Sequence, residues 1–201
     1  MDTPAFEQLR AVIRSRHTTK ALAMNGREIP DAQISQLLEL ADWAPTHGHT
    51  EPWRFYIYAG KNLKQFGEAH AAMYWAQTEE ENRAQAKYDK LVQSARQASH
   101  LIITVLKRDP RGKIPETEEL SAVSAAIQNM LLGATALGIA SFWSTGGMTY
   151  HPAMKAHLSL EENDRIVGLL YLGYSDEPDK KRSRKIPLAE KTVWPNMPGR
   201  S

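Results

Sequence analysis

The chain contains no cysteine. Disulfides, thiolate metal sites and a cysteine nucleophile are therefore excluded, and a reducing compartment is compatible with that absence. No run of about 18 consecutive apolar residues occurs, the length a membrane-spanning helix requires. The opening Met1-Asp2-Thr3-Pro4-Ala5-Phe6-Glu7 has neither the basic start nor the apolar stretch of a signal peptide. These features lead to the expectation of a soluble, cytoplasmic protein with no membrane partner. Charge of one sign is not in excess: 25 Lys+Arg face 23 Asp+Glu, a formal net charge of +2. Such a balance argues against a protein devoted to coating nucleic acid. Gly-x-Ser-x-Gly, Walker, His-Glu-x-x-His and Gly-x-Gly-x-x-Gly fingerprints are also missing. With those motifs missing, an enzyme on this chain would be expected to borrow its chemistry from a cofactor.

What is present is enough for a core. The 201 residues, 42% of them hydrophobic, fit one α+β domain over 1–201 with a tail from 176 to 201. Phe6, Leu9, Val12 and Ile13 recur at helical spacing between Pro4 and Ser15. Ile34, Leu37, Leu38 and Ala41 predict a second helix from Pro30-Asp31 to about Trp43. Arg54 to Ala59 is β-branched and aromatic and reads as a strand. A third helix is expected from Lys61 to about Trp75. Thr78-Glu79-Glu80-Glu81 has the form of a capping box opening a long helix through about Ala98.

Leu101 to Leu106 reads as a buried strand. Leu120, Val123, Ala126, Ile127, Met130, Leu131, Ala134 and Leu137 predict a central, largely apolar helix that Gly138 ends. Ala140 to Ser144 is a strand broken by Thr145-Gly146-Gly147. His151-Pro152 opens a short helix, and Ser159-Leu160-Glu161-Glu162 is a second capping-box pattern. Ile166 to Tyr174 is the clearest core strand. About four strands and a majority of helix result.

Four stretches could carry chemistry. Arg16-His17-Thr18-Thr19-Lys20 offers a guanidinium, an imidazole, hydroxyls and an ammonium, a composition that suits phosphate. It equally describes a solvated helix C-terminus, where cations complement the helix dipole. His47, His49 and Glu51 stand at alternate positions and suit zinc or iron, but two nearby prolines and the lack of a second ligand cluster make a shaped polar loop sufficient, so no metal is expected. Trp143-Ser144-Thr145-Gly146-Gly147 would expose backbone N–H groups at a glycine turn. Lys180-Lys181-Arg182-Ser183-Arg184-Lys185 is a basic run without the interleaved aromatics of a single-strand binder. A non-catalytic phosphate- or nucleic-acid-binding protein is its alternative reading.

Taken in order, these stretches resemble the flavin-dependent nitroreductase superfamily, and most of all its small single-domain branch, over nearly the whole chain. Arg16 to Lys20 resembles the early Arg-x-Ser-x-Arg/Lys flavin motif. Ala44-Pro45 through Pro52-Trp53-Arg54-Phe55 resembles the Ala-Pro-Ser-x-x-Asn-x-Gln-Pro-Trp-x-Phe stretch. Trp143-Ser144-Thr145-Gly146 and Ile166 to Tyr174 resemble the small branch's glycine turn and last strand, and Arg184-Lys185-Ile186-Pro187-Leu188 resembles the family's basic ending.

The resemblance implies a mixed, mainly antiparallel sheet flanked by helices in an intertwined homodimer. FMN would lie at the subunit interface, reduced by NAD(P)H and passing hydride to a nitro compound, quinone or similar small electrophile. Arg16 and Thr18, with Arg182 and Arg184, would hold phosphate or ribityl oxygens. His17 and Lys20 belong to the same wall, Lys20 toward the flavin's pyrimidine edge. His47 and His49 would come from the partner chain. Trp143, Ser144, Thr145 and Gly146 would border N5 and O4, and Trp43 the substrate pocket. Histidine at 47 and 49 and glutamate at 51 depart from the family's Ser, Asn and Gln. A related flavoenzyme performing dehydrogenation, reductive removal of a substituent or flavin breakdown is therefore the alternative.

Overall fold

A computed structural model describes residues 2–178 and 183–195 of the chain. Ten principal elements follow one another: α1 (Pro4–Ser15), α2 (Asp31–Asp42), β1 (Trp53–Ala59), α3 (Gly60–Ala76), α4 (Gln85–Gln97), β2 (His100–Leu106), α5 (Glu116–Ala136), β3 (Ala140–Ser144), α6 (Pro152–His157) and β4 (Arg165–Gly173). The local signals at both ends of the chain act as expected. Thr3 accepts the Phe6 amide ahead of Pro4 at the start of α1, and His151 accepts the Ala153 amide at the start of α6.

The four strands lie in the order β1-β2-β4-β3. The sheet is antiparallel in line with the mainly antiparallel expectation: among the described residues every neighbouring pair is antiparallel, with Phe55 opposite Thr104, Ile103 opposite Leu169 and Phe142 opposite Tyr171. The connections explain it. α3 and α4 pack as a pair, so the chain re-enters the sheet at the end it left and β2 opposes β1. The single helix α5 brings β3 back parallel to β2, but β4 lies between them and opposes both.

Both faces of the sheet are covered. Ile102, Leu106, Leu170 and Leu172 meet α2 and α5 on one side. Leu101, Ile103, Val105, Leu169 and Tyr171 meet α3, α4 and α6 on the other. Burial on two faces is why residues 101–106 form a near-continuous apolar run rather than an alternating one, with the Thr104 hydroxyl satisfied by the Gly168 carbonyl. α5 is the most enclosed helix, and α2 crosses it at Gly133. A Cβ there would sit 2.6 Å from the Leu40 side chain and 2.9 Å from that of Leu37.

Two expected helix starts are corrected. The Thr78 pattern opens no long helix: Glu80–Asn82 forms a single 3-10 turn, and α4 begins at Gln85. The Ala84 amide at that start is accepted by the buried phenol of Tyr74, 2.9 Å away on α3, so the capping group comes from another helix. The Ser159 pattern likewise starts nothing. Ser159 adopts a left-handed φ of 53°, and the Glu161 amide is accepted by the buried Asp164 carboxylate in a closed turn that Lys107 also bridges.

Candidate active site

The polypeptide leaves α1 extended at Arg16 and runs beside β3, an edge strand. The Thr19 amide donates to the Ser141 carbonyl at 3.0 Å, which binds the basic segment to the strand. His17 bonds at both ring nitrogens within the segment. Its Nδ1 faces the Ser15 carbonyl at 3.3 Å and so carries the proton, leaving Nε2 to accept the Thr19 hydroxyl at 3.2 Å. The imidazole thus shapes the segment and leaves Thr18 and Lys20 exposed.

Two cavities adjoin this segment and share Thr18 and Ser141. The larger, about 480 Å³, is lined by His17, Lys20, Ile139, Ser175 and Glu177 among others. The smaller, about 290 Å³, lies between Arg16, Gln128 and Leu131 of α5, Trp143 and Thr145. Arg16 and Lys20 therefore stand on opposite sides of Thr18, and Thr145 faces the side of Arg16. The Trp143 indole lies on the backbone of Gly168, where a Cβ would come within 2.1 Å of its Nε1, and donates to the Val167 carbonyl at 3.3 Å.

The glycine turn after β3 is held at three polar points. The Gly146 amide donates to Ser144 Oγ at 3.3 Å, the Thr149 hydroxyl donates to the Gly146 carbonyl at 2.6 Å, and the Met148 amide donates to His70 Nε2 at 2.9 Å. Burial in α3, with a smaller contribution from His157, lowers the His70 pKa from 6.5 to about 4. The ring is thus a neutral acceptor at ordinary pH.

The 47–49 loop is elsewhere. His47 Nδ1 meets Glu118 Oε2 at 2.5 Å, near the start of α5, whereas Thr135, near that helix's end, lines the larger cavity. Seventeen residues of α-helix separate Glu118 from Thr135 by about 25 Å, and ten separate it from Gln128 of the smaller cavity by about 15 Å. The loop has a fixed form: Gly48, His49 and Glu51 all take left-handed φ values, and Ile114 closes over Gly48. Trp43 is 81% exposed and lines neither cavity. Arg184 is described and exposed, while Arg182 lies outside the described residues. Among the described residues no three or more His, Asp or Glu side chains gather into a group able to hold a metal ion, and no helix is long and apolar enough to cross a membrane.

Thus Arg16, His17, Thr18, Lys20, Trp143 and Thr145 surround the cavities, with Ser144 and Gly146 in the same turn. None of His47, His49 and Trp43 lines either cavity within one chain. Sequence reasoning missed Gln128, Ser141, Ser175, Glu177 and His70. None carries a local signal: Ser141 sits in a buried strand, Glu177 opens what reads as a tail, and a lone histidine on a helix reads as core.

The sequence pattern of the nitroreductase family matches residues 13–174. The chain is 30% identical over 166 residues to YdjA of Escherichia coli K12, provisionally named an NAD(P)H nitroreductase, covering 81% of this chain and 85% of that one. A nitroreductase-like family protein of Bacillus cereus superposes with a TM-score of 0.80 at 29% identity over 98% of this chain and all of the other. The FMN-dependent nitroreductase NfnB of Mycobacterium smegmatis, solved with NADPH, shares the fold at 18% identity, with a TM-score of 0.72 over 94% of this chain and 98% of that one. With the family pattern spanning α1 to the end of β4, around a basic segment bound to the strand that leads into a glycine turn, this chain belongs to the nitroreductase family.

Proposed function

We propose that the protein is a cytoplasmic FMN-dependent oxidoreductase that takes hydride from NAD(P)H and passes it to a nitro compound, quinone or similar small electrophile. The observation that carries this reading is the tie between Thr19 and Ser141, which sets the segment Arg16 to Lys20 and the turn Thr145 to Gly147 along one edge of the sheet. The residues present fit FMN. The cavities have a cofactor's scale, cations and hydroxyls suit a phosphate and a polar ring edge, and Leu131, Ile139 and Trp143 supply apolar wall. Bound there, the flavin supplies reversible hydride transfer. Arg16 and Thr18, with Arg184 and Arg182, hold its phosphate or ribityl oxygens, and Lys20 places positive charge at its pyrimidine edge. The turn presents backbone groups, and no side chain acts as a nucleophile.

The same reading makes the protein a homodimer. α1 buries none of its residues, and Phe6, Leu9 and Ile13 are each about half exposed, the condition of an amphipathic helix awaiting a partner surface. In such a dimer His47 and His49, whose loop lines neither cavity of its own chain, would reach a flavin site of the second copy. Trp43 borders the substrate pocket by the same route. Purified protein should be yellow or reconstitute with FMN, and anaerobic titration with NADH and NADPH should bleach it. Colourless protein that takes up no FMN would overturn the proposal.

A further inference from the structure

His70 is the buried polar group that the proposed chemistry leaves unused. It is 2% exposed on α3, and its Nδ1 has no hydrogen-bond partner among the described residues. Because Nε2 accepts from Met148, the proton resides on Nδ1. The fold therefore tolerates an orphaned buried N–H in order to keep an acceptor at Nε2. A histidine serving only to fill space would be replaced without that penalty by an apolar side chain of similar shape.

What the acceptor holds is specific. Ser144 and Thr149 tie the glycine turn to its own neighbours. The bond from Met148 to His70 spans 78 residues and ties the turn to the body of the fold. Gly147 is shaped to the same contact. It has a φ of 67°, and a Cβ on it would lie 2.5 Å from His70 Nε2 and 3.0 Å from Leu91 of α4. The ring also packs against Phe66, with centroids 5.7 Å apart, and Phe66 in turn meets His157 of α6.

We propose that His70 is a positioning residue for the redox site: its Nε2 fixes the turn from Thr145 to Met148, and through that turn it sets how tightly the flavin is held and how easily it is reduced. The inference rests on the proposed FMN function. It gives α3, which lines neither cavity, a direct hold on the backbone that does.

The test compares full-length wild type, His70→Leu, His70→Gln and Gly147→Ala at pH 7.5. FMN dissociation constants come from flavin fluorescence, midpoint potentials from dye equilibration, and stability of the FMN-free protein from urea unfolding. His70→Leu should weaken FMN binding about ten-fold, the worth of one hydrogen bond, and shift the potential. His70→Gln, whose Oε1 can take the place of Nε2, should recover most of both. Gly147→Ala should reproduce the loss while leaving the imidazole in place, and it carries the test should His70→Leu not fold. Leucine and glutamine variants equally destabilised, with unchanged FMN affinity and potential, would overturn the proposal and leave the FMN function standing. Wild type that binds no FMN would overturn both.

Discussion

The Thr19 amide donates to the Ser141 carbonyl across 3.0 Å, joining residues 122 positions apart in the chain. It sets Arg16 and Lys20 beside the edge strand whose end carries the glycine turn, and the burial of Ala21 and Met24 and the bond from the Ser175 hydroxyl to the Ala23 carbonyl hold the chain that follows.

Lys20 and Arg16 should separate by measurement. Lys20→Ala is expected to lower the flavin midpoint potential by on the order of tens of millivolts, since a cation at the ring stabilises the anionic reduced form. Arg16→Ala should weaken FMN binding about 10- to 100-fold with greater sensitivity to salt, as loss of a charge-assisted phosphate contact does. A potential shift in Arg16→Ala and none in Lys20→Ala would exchange the two roles. The position of Thr145 beside Arg16 makes that comparison pointed.

Stability should fall in mild acid through His70. Its pKa in the folded chain is about 4 against an ordinary 6.5. Between those values the unfolded chain binds a proton that the folded chain does not. The stabilisation is thus complete above pH 6.5 and is lost as pH falls toward 4, by roughly 3 kcal/mol. Urea unfolding from pH 7.5 to 4 should show this slope in wild type and a shallower one in His70→Gln.

Arg108→Ala should be severely destabilising, by about 3 to 5 kcal/mol, because it strands a buried carboxylate. The Glu119 side chain is fully buried against the Arg108 guanidinium and also accepts the Asp109 amide. Arg108 further donates to the Ile114 carbonyl, and Ile114 covers Gly48. Pairing Arg108→Met with Glu119→Gln keeps an acceptor for Asp109 while removing the charge, and should recover more than half of the loss in a denaturant titration.

The proposed dimer is checked at α1. Leu9→Asp places a charge on a helix face whose apolar residues are exposed in the single chain. Sedimentation should show wild-type dimer and variant monomer, with FMN affinity reduced at least ten-fold in the variant because in the proposed dimer each site draws on both copies. An unchanged dimer would remove α1 from the interface.

Much of the fold was legible because its signals are local. Pro4, His151-Pro152 and Gly138 mark helix ends through their own backbone chemistry, and the apolar run of β2 reports burial on both faces. Arg16 to Lys20 and the turn at Thr145 to Gly147 were likewise visible as residue types, and the resemblance placed them on one wall. Other features depend on partners distant in sequence. α4 starts where Tyr74 of α3 supplies its cap, so the acidic triplet after Thr78 pointed six residues too early. The direction of neighbouring strands followed from paired helices and from the insertion of β4 between β2 and β3, neither of which is written in any strand. His70 shows the limit most clearly. By sequence it is one histidine on an amphipathic helix, and its function as an acceptor exists only because tertiary packing buries it 2.9 Å from an amide 78 residues later, where water cannot replace it.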